Sequence, residues 1–116
     1  METGTFLERL GFAHSQIGFE CTEKAIDALI GGYNGKMMVL YYEVGQQIGK
    51  KWTSTERAIR HAISCAMDRN PNFFRELGLP EARWGSKFTN SEFLYTAAYR
   101  LKKIRESEGR KEDVKL

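Results

Sequence analysis

The chain has 116 residues, 41% of them hydrophobic, enough for one domain with a modest core and without the ~20-residue apolar run that a membrane span needs. Residues 1–5 hold no basic side chain of a signal peptide, and two cysteines make no disulfide framework, so a cytoplasmic protein is expected. The net charge of +3 is unevenly spread: residues 1–48 carry three basic and six acidic side chains, residues 49–70 five and two, residues 71–116 ten and seven, a polarity that suits one face turned to a polyanion.

In chain order, residues 5–13 read as a short helix burying Phe6, Leu7, Leu10 and Phe12. His14, Ser15 and Gln16 form a connector, with His14 a surface or capping residue. Residues 19–30 make a second helix, with Phe19, Thr22, Ile26, Leu29 and Ile30 inward and Cys21 and Ala25 flanking that stripe. The run Gly31-Gly32-Tyr33-Asn34-Gly35 is a break. It lacks the Gly-Lys-Ser/Thr ending of a phosphate loop and follows a helix instead of a strand, so it is a linker.

Residues 37–48 place Met37, Leu40, Tyr41, Val44 and Ile48 at helical spacing, and Gly49-Lys50-Lys51 interrupts them. A new helix is expected over residues 53–68, with Thr53 as N-cap and Glu56 as its capping-box partner. At about 100° per residue its Glu56, Arg57, Arg60, His61, Ser64 and Asp68 share one arc. Ala58, Ile59, Ala62, Ile63, Cys65 and Ala66 share the other, with Met67 at the seam. Helix, three-residue glycine turn, helix is the layout of a helix-turn-helix, whose second helix lies in the major groove. Gly45, four residues before the turn glycine, lets the two helices come close.

Asn70-Pro71 closes this unit, and residues 72–77 form one or two helical turns packing Phe73, Phe74 and Leu77. Residues 79–88 have no period and read as an irregular loop with an exposed Trp84, or alternatively as a two-stranded piece. Thr89 opens a capping box with Glu92, and Phe93, Leu94, Ala97, Ala98, Leu101 and Ile104 form the stripe of a last long helix. From Glu106 the chain is charge-rich, so residues 106–116 are expected to be a disordered tail on a domain of residues 1–105. The fold class is all-α, with five or six helices.

Three enzymatic readings fare poorly. His61 and Cys65 lie one turn apart and could both reach a metal, but Cys21 and His14 lack finger spacing. For a Cys–His nucleophile nothing orients the imidazole, and Cys65 packs more simply as a small apolar residue. The carboxylates are scattered among basic partners, without an apolar pair for acid–base work. No catalytic set, metal site or cofactor is expected.

Two segments carry a resemblance. Glu56–Ile63, ERAIRHAI, and Thr89–Phe93, TNSEF, resemble the DNA-binding effector domain of the stage zero sporulation protein A family, the master response regulators of endospore-forming bacteria. Val39-Leu40-Tyr41 fits the same alignment, Leu10-Gly11 and Gly18-Phe19 match conservatively, and the likeness spans about residues 6–103. The resemblance implies a bacterial transcription regulator in which Glu56 and Arg57 enter the major groove and read a box containing TGTCGAA. The chemistry agrees, because Arg can bond guanine bidentately and Glu can accept from the cytosine amine. Arg60 and His61 are expected to hold phosphates or flanking bases. Lys50, Lys51, Thr53, Thr89 and Asn90 are expected to supply backbone contacts, with helix-start amides suited to phosphate.

The departures are specific. Ser54 stands where the family usually has an arginine that helps read the box, so preference there should relax. Trp52-Thr53 replaces a Thr-Pro approach, and Thr55 a common valine. The region after the recognition helix, which in the family touches the RNA polymerase sigma factor, is shorter and dissimilar. The chain has no room for the family's phosphorylatable receiver domain, which suggests a stand-alone effector, a truncated paralogue or a regulator borrowed by a mobile element. One helix-turn-helix covers one half-site, so useful affinity favours two copies on tandem boxes. The alternative is a protein-interaction module on the same scaffold, an antagonist of a full-length sporulation regulator.

Overall fold

The computed structural model describes residues 1–80 and 88–114, with side chains through residue 109. It holds α1 (Thr3–Leu10), α2 (Ile17–Ile30), α3 (Met37–Ile48), α4 (Trp52–Arg69), α5 (Phe73–Glu76) and α6 (Asn90–Val114), and no strand among the described residues. None of these helices is long and apolar enough to cross a membrane.

The termini of α1 and α3 follow from single glycines. Gly11, at φ 103°, ends α1, with its own N–H bonded to Glu8 O and the Phe12 N–H bonded to Leu7 O at 3.0 Å. Such a left-handed closure returns the chain at no side-chain cost and drops the following Phe12 into the core. Gly49, at φ 74°, does the same for α3, and the Lys50 N–H reaches Gly45 O at 2.8 Å.

α2 is the central post, packed against α1, α3, α4 and α6. Its most enclosed positions are Cys21, Thr22, Ala25 and Ile26, all at 0% exposure, while Leu29 and Ile30 are only half-buried. The inward face thus keeps Phe19, Thr22 and Ile26 as expected but takes in Cys21 and Ala25 in place of Leu29 and Ile30. The reason is close approach: Gly18 sits so near α4 that an added Cβ would lie 2.3 Å from the Ala58 carbonyl oxygen and 2.6 Å from the Ala62 Cβ. Small residues on both helices let α2 turn its Cys–Ala edge inward. The other end of the core is aromatic. Phe73 stacks on Phe93 at 5.8 Å between ring centroids, and Phe12 lies 5.5 Å from Phe93.

Three sequence expectations need correction. α4 starts at Trp52 with Lys51 as N-cap and no side-chain cap, so Thr53 lies inside the first turn and its box with Glu56 does not form. An N-cap needs extended backbone, which Lys51 has at ψ 153°. Thr55 instead bonds back to Lys51 O at 3.0 Å, and Glu56 turns to Arg60. The first two helices start at Thr3 and Ile17, two residues ahead of the expected starts in each case. α6 stays helical through Val114, past the start of the expected tail, because its middle is tied to the chain start. Arg105 donates to Met1 O at 2.9 Å and to Thr3 Oγ1 at 3.2 Å, and the Met1 amino group pairs with Glu108. The Thr89–Glu92 box does form, with reciprocal bonds of 3.1 and 3.2 Å. The loop expectation over residues 79–88, Trp84 included, falls largely outside the described residues.

Candidate nucleic-acid interface

The helix-turn-helix is α3, the turn of residues 49–51, and α4. Its tightness depends on Gly45, where a Cβ would lie 2.5 Å from the Lys50 carbonyl oxygen and 2.8 Å from Thr55 Oγ1. α4 buries Thr55, Ile59, Ala62, Ile63 and Ala66 and exposes Arg57, Arg60, His61, Ser64 and Asp68. Thr53, Arg57, Arg60 and Ser64 follow one another at helical spacing along the middle of that exposed face, and Ser54, Arg57 and His61 form a row beside it. Lys50 and Lys51 stand exposed in the turn at its foot. The structure therefore gathers Lys50, Lys51, Thr53, Ser54, Arg57, Arg60 and His61 on one side.

Glu56 stands apart from them, at the edge of the face and half-buried at 26% side-chain exposure. Its carboxylate pairs with Arg60, one turn on. A carboxylate offers about four acceptor positions, so one pairing leaves room for a cytosine amine. The pairing also holds the Arg60 guanidinium over this edge of the helix.

The head of α6 closes the site from the side. Thr89 is exposed, but its hydroxyl and its N–H are both engaged with Glu92. Asn90 is buried at 9% exposure, and its Nδ2 donates to the Glu56 carbonyl at 2.9 Å. Its place is thus inside the joint between α4 and α6. Beside it is the Tyr41 hydroxyl, whose pKa burial pushes up and interactions with Asn90 and Ser91 pull back. Tyr41, Trp52, Glu56, Arg60 and Asn90 line a groove of about 720 Å³ between α3, α4 and α6.

At its far end α4 is bound to α1. Arg69 donates to Gly11 O, and Asn70 Nδ2 to Arg9 O at 3.0 Å. α4 is therefore held at both ends by side-chain amides or guanidinium on carbonyls, and its polar face is left clear. Sequence reasoning did not find these ties. An Asn at the start of a helix reads as a cap or a phosphate contact, and nothing local says that a carbonyl on another helix lies opposite.

The other singled-out groups are dispersed. His61 Nε2 and Cys65 Sγ approach to 3.5 Å, Cys21 is buried in α2, and His14 pairs with Glu8 while its ring lies 4.0 Å from that of Phe19. Among the described residues no three His, Cys, Asp or Glu gather to hold a metal. An apolar patch of Met38, Val39, Tyr42 and Trp52, 38–52% exposed, flanks the start of α4. The helical period of α3 identifies its inner stripe and carries no signal for this outer patch.

No curated protein and no solved structure matches the chain. The family model described as sporulation initiation factor Spo0A C terminal matches residues 3–101, nearly the whole chain, and the chain belongs to this family of DNA-binding transcription-regulator domains.

Proposed function

We propose that residues 1–105 form the DNA-binding unit of a sequence-specific transcription regulator that reads a TGTCGAA-like box in the major groove through α4. The single observation that carries this reading is the exposed row of Thr53, Arg57, Arg60 and Ser64 directly after a tight, lysine-bearing turn. Arg57, central in that row, bonds a guanine bidentately through O6 and N7, and Glu56 accepts from a cytosine amine with the oxygen positions Arg60 leaves free. Arg60 and His61 hold the phosphates or flanking bases, and Lys50 and Lys51 the backbone near the turn. Ser54 stands beside Arg57 and is too short for a bidentate contact, so one base pair of the box is read loosely. Two copies on tandem boxes supply the affinity that one half-site lacks. Such a protein works at the bacterial nucleoid.

The test is a fluorescence-anisotropy titration of the purified chain with a duplex carrying tandem boxes against a scrambled duplex. Log affinity should fall linearly with log salt, by about 0.9 per phosphate neutralised. Arg57→Ala should abolish preference for the box, whereas Lys51→Ala should weaken both duplexes alike. Affinity and preference both intact in Arg57→Ala would overturn the assignment.

A second reading has one observation in its favour, the exposed apolar patch of Met38, Val39, Tyr42 and Trp52 beside the start of α4. Contiguous exposed apolar surface of this kind often marks a protein interface. In that reading the scaffold antagonises a full-length regulator of the same family. Absence of DNA binding even at low salt would favour it.

A further inference from the structure

We infer that Asn90 is a positioning residue for sequence reading: it seats the start of α4 through the Glu56 carbonyl and does not itself touch DNA. The inference deepens the DNA-binding reading above and rests on it.

Its partner stands 34 residues away in sequence, at 2.9 Å in space. The Glu56 carbonyl lies near the start of α4, and the next residue is Arg57, the central base reader. A backbone carbonyl has two lone pairs, so Glu56 O can serve the Asn90 amide and the helix ladder together. The donor side is fixed as well. The Thr89–Glu92 box closes the first turn of α6, the Phe93 N–H bonds to Thr89 O at 2.9 Å, and Phe93 and Leu94 are at 0% exposure. Asn90 thus projects from a rigid helix start onto the carbonyl that directly precedes Arg57.

The far tie, from Arg69 and Asn70 to α1, lies at the opposite end of the helix and leaves the tilt of its first turns free. α4 opens with no side-chain cap; its first turn is anchored towards α3, through Thr55 on Lys51 O and the close approach of Gly45, and Asn90 supplies the tie on the α6 side. Bidentate base contacts tolerate only about 0.5 Å and 10–20° of misplacement. Loss of the Asn90 bond should therefore cost discrimination more than it costs general affinity, which rests on long, adaptable lysines and arginines.

The experiment uses the whole chain with Asn90→Ala and with Asn90→Leu, the latter filling the volume without the donor. Ile26→Val, a buried change in α2 away from the face, serves as the stability-matched control. Each protein is melted, then titrated across salt with its preferred duplex (the tandem box, or the one returned by selection from random duplexes) and with a scrambled duplex. Both Asn90 variants should melt cooperatively, keep the salt slope and the scrambled-duplex affinity, and lose preference about tenfold. Ile26→Val should keep its preference. Full preference in either folded Asn90 variant overturns the inference, as does an equal loss in Ile26→Val. A uniform weakening on both duplexes also overturns it, because that is the mark of a direct backbone contact; Asn90 is neutral, so the salt slope stays the same in that case as well. The parent reading fails separately, on the wild-type chain: no DNA binding there sinks both.

Discussion

Substituting Gly45 by alanine sets two effects of opposite sign against each other. In an ordinary exposed helix the change would stabilise by about 1 kcal/mol, since alanine has the better helix propensity. Here the new Cβ would lie 2.5 Å from the Lys50 carbonyl oxygen and 2.8 Å from Thr55 Oγ1. Ordinary contact begins at 3.4 Å, so the turn must recede by about 0.9 Å and Thr55 must also give way. The turn resists, because the same residue's carbonyl accepts the Lys50 N–H at 2.8 Å and closes α3. Rotating Thr55, which is at 0% exposure, breaks its bond to Lys51 O and forfeits about 1 kcal/mol. Overpacking of a tight contact costs about 1–3 kcal/mol. The net expectation is destabilisation by about 1–3 kcal/mol, a fall in melting temperature of roughly 4–15 °C for a domain of this size. Urea and thermal unfolding of Gly45→Ala beside the wild type read this directly. Equal or greater stability of the variant would refute the close-approach argument, since it would mean that helix propensity had prevailed.

Three further outcomes are expected. Thr89→Ala should lower stability by about 1 kcal/mol through loss of the α6 cap, and an unchanged melting curve would show that the box carries no weight. Burial pushes the Cys21 thiol above its ordinary value, so the thiolate forms more readily in the unfolded chain; stability should be whole below about pH 9 and fall as pH rises past it. Cys21→Ala should flatten that decline, and a decline of undiminished slope would exclude the thiol as its source. Ser54→Arg should restore about 1–3 kcal/mol of discrimination at a single base pair of the box, measured on single-base variants; no gain at any position would remove Ser54 from the reading face.

Much of the helix-turn-helix was legible in the sequence because its determinants are local. The period of Leu40, Tyr41, Val44 and Ile48 and the break at Gly49 place α3 without knowledge of any partner. The polar arc of α4 is likewise a matter of 3.6-residue geometry, and the exposures of Arg57, Arg60, His61 and Ser64 follow it. Even the Gly45 close approach follows from its spacing to the turn. The Thr53 cap was misplaced because Thr53, Ser54 and Thr55 all have cap chemistry, and the start of α4 depends on how Lys51 leaves the turn.

What the sequence by itself determined, then, is the order of the helices, the helix-turn-helix and the set of side chains on its open face. Hydrophobic period and glycine closure act within a few residues, so they are written in the chain. Tertiary structure alone decided which groups meet across long separations. It put Asn90 on the Glu56 carbonyl, Gly18 against Ala58, and Arg69 and Asn70 on the end of α1. It also carried α6 as helix through residues of high charge, by tying Arg105 and Glu108 to the chain start. Each of these depends on a donor and an acceptor, or two small surfaces, brought within a few ångströms by the packing of other residues, and no periodicity along one strand of sequence encodes that.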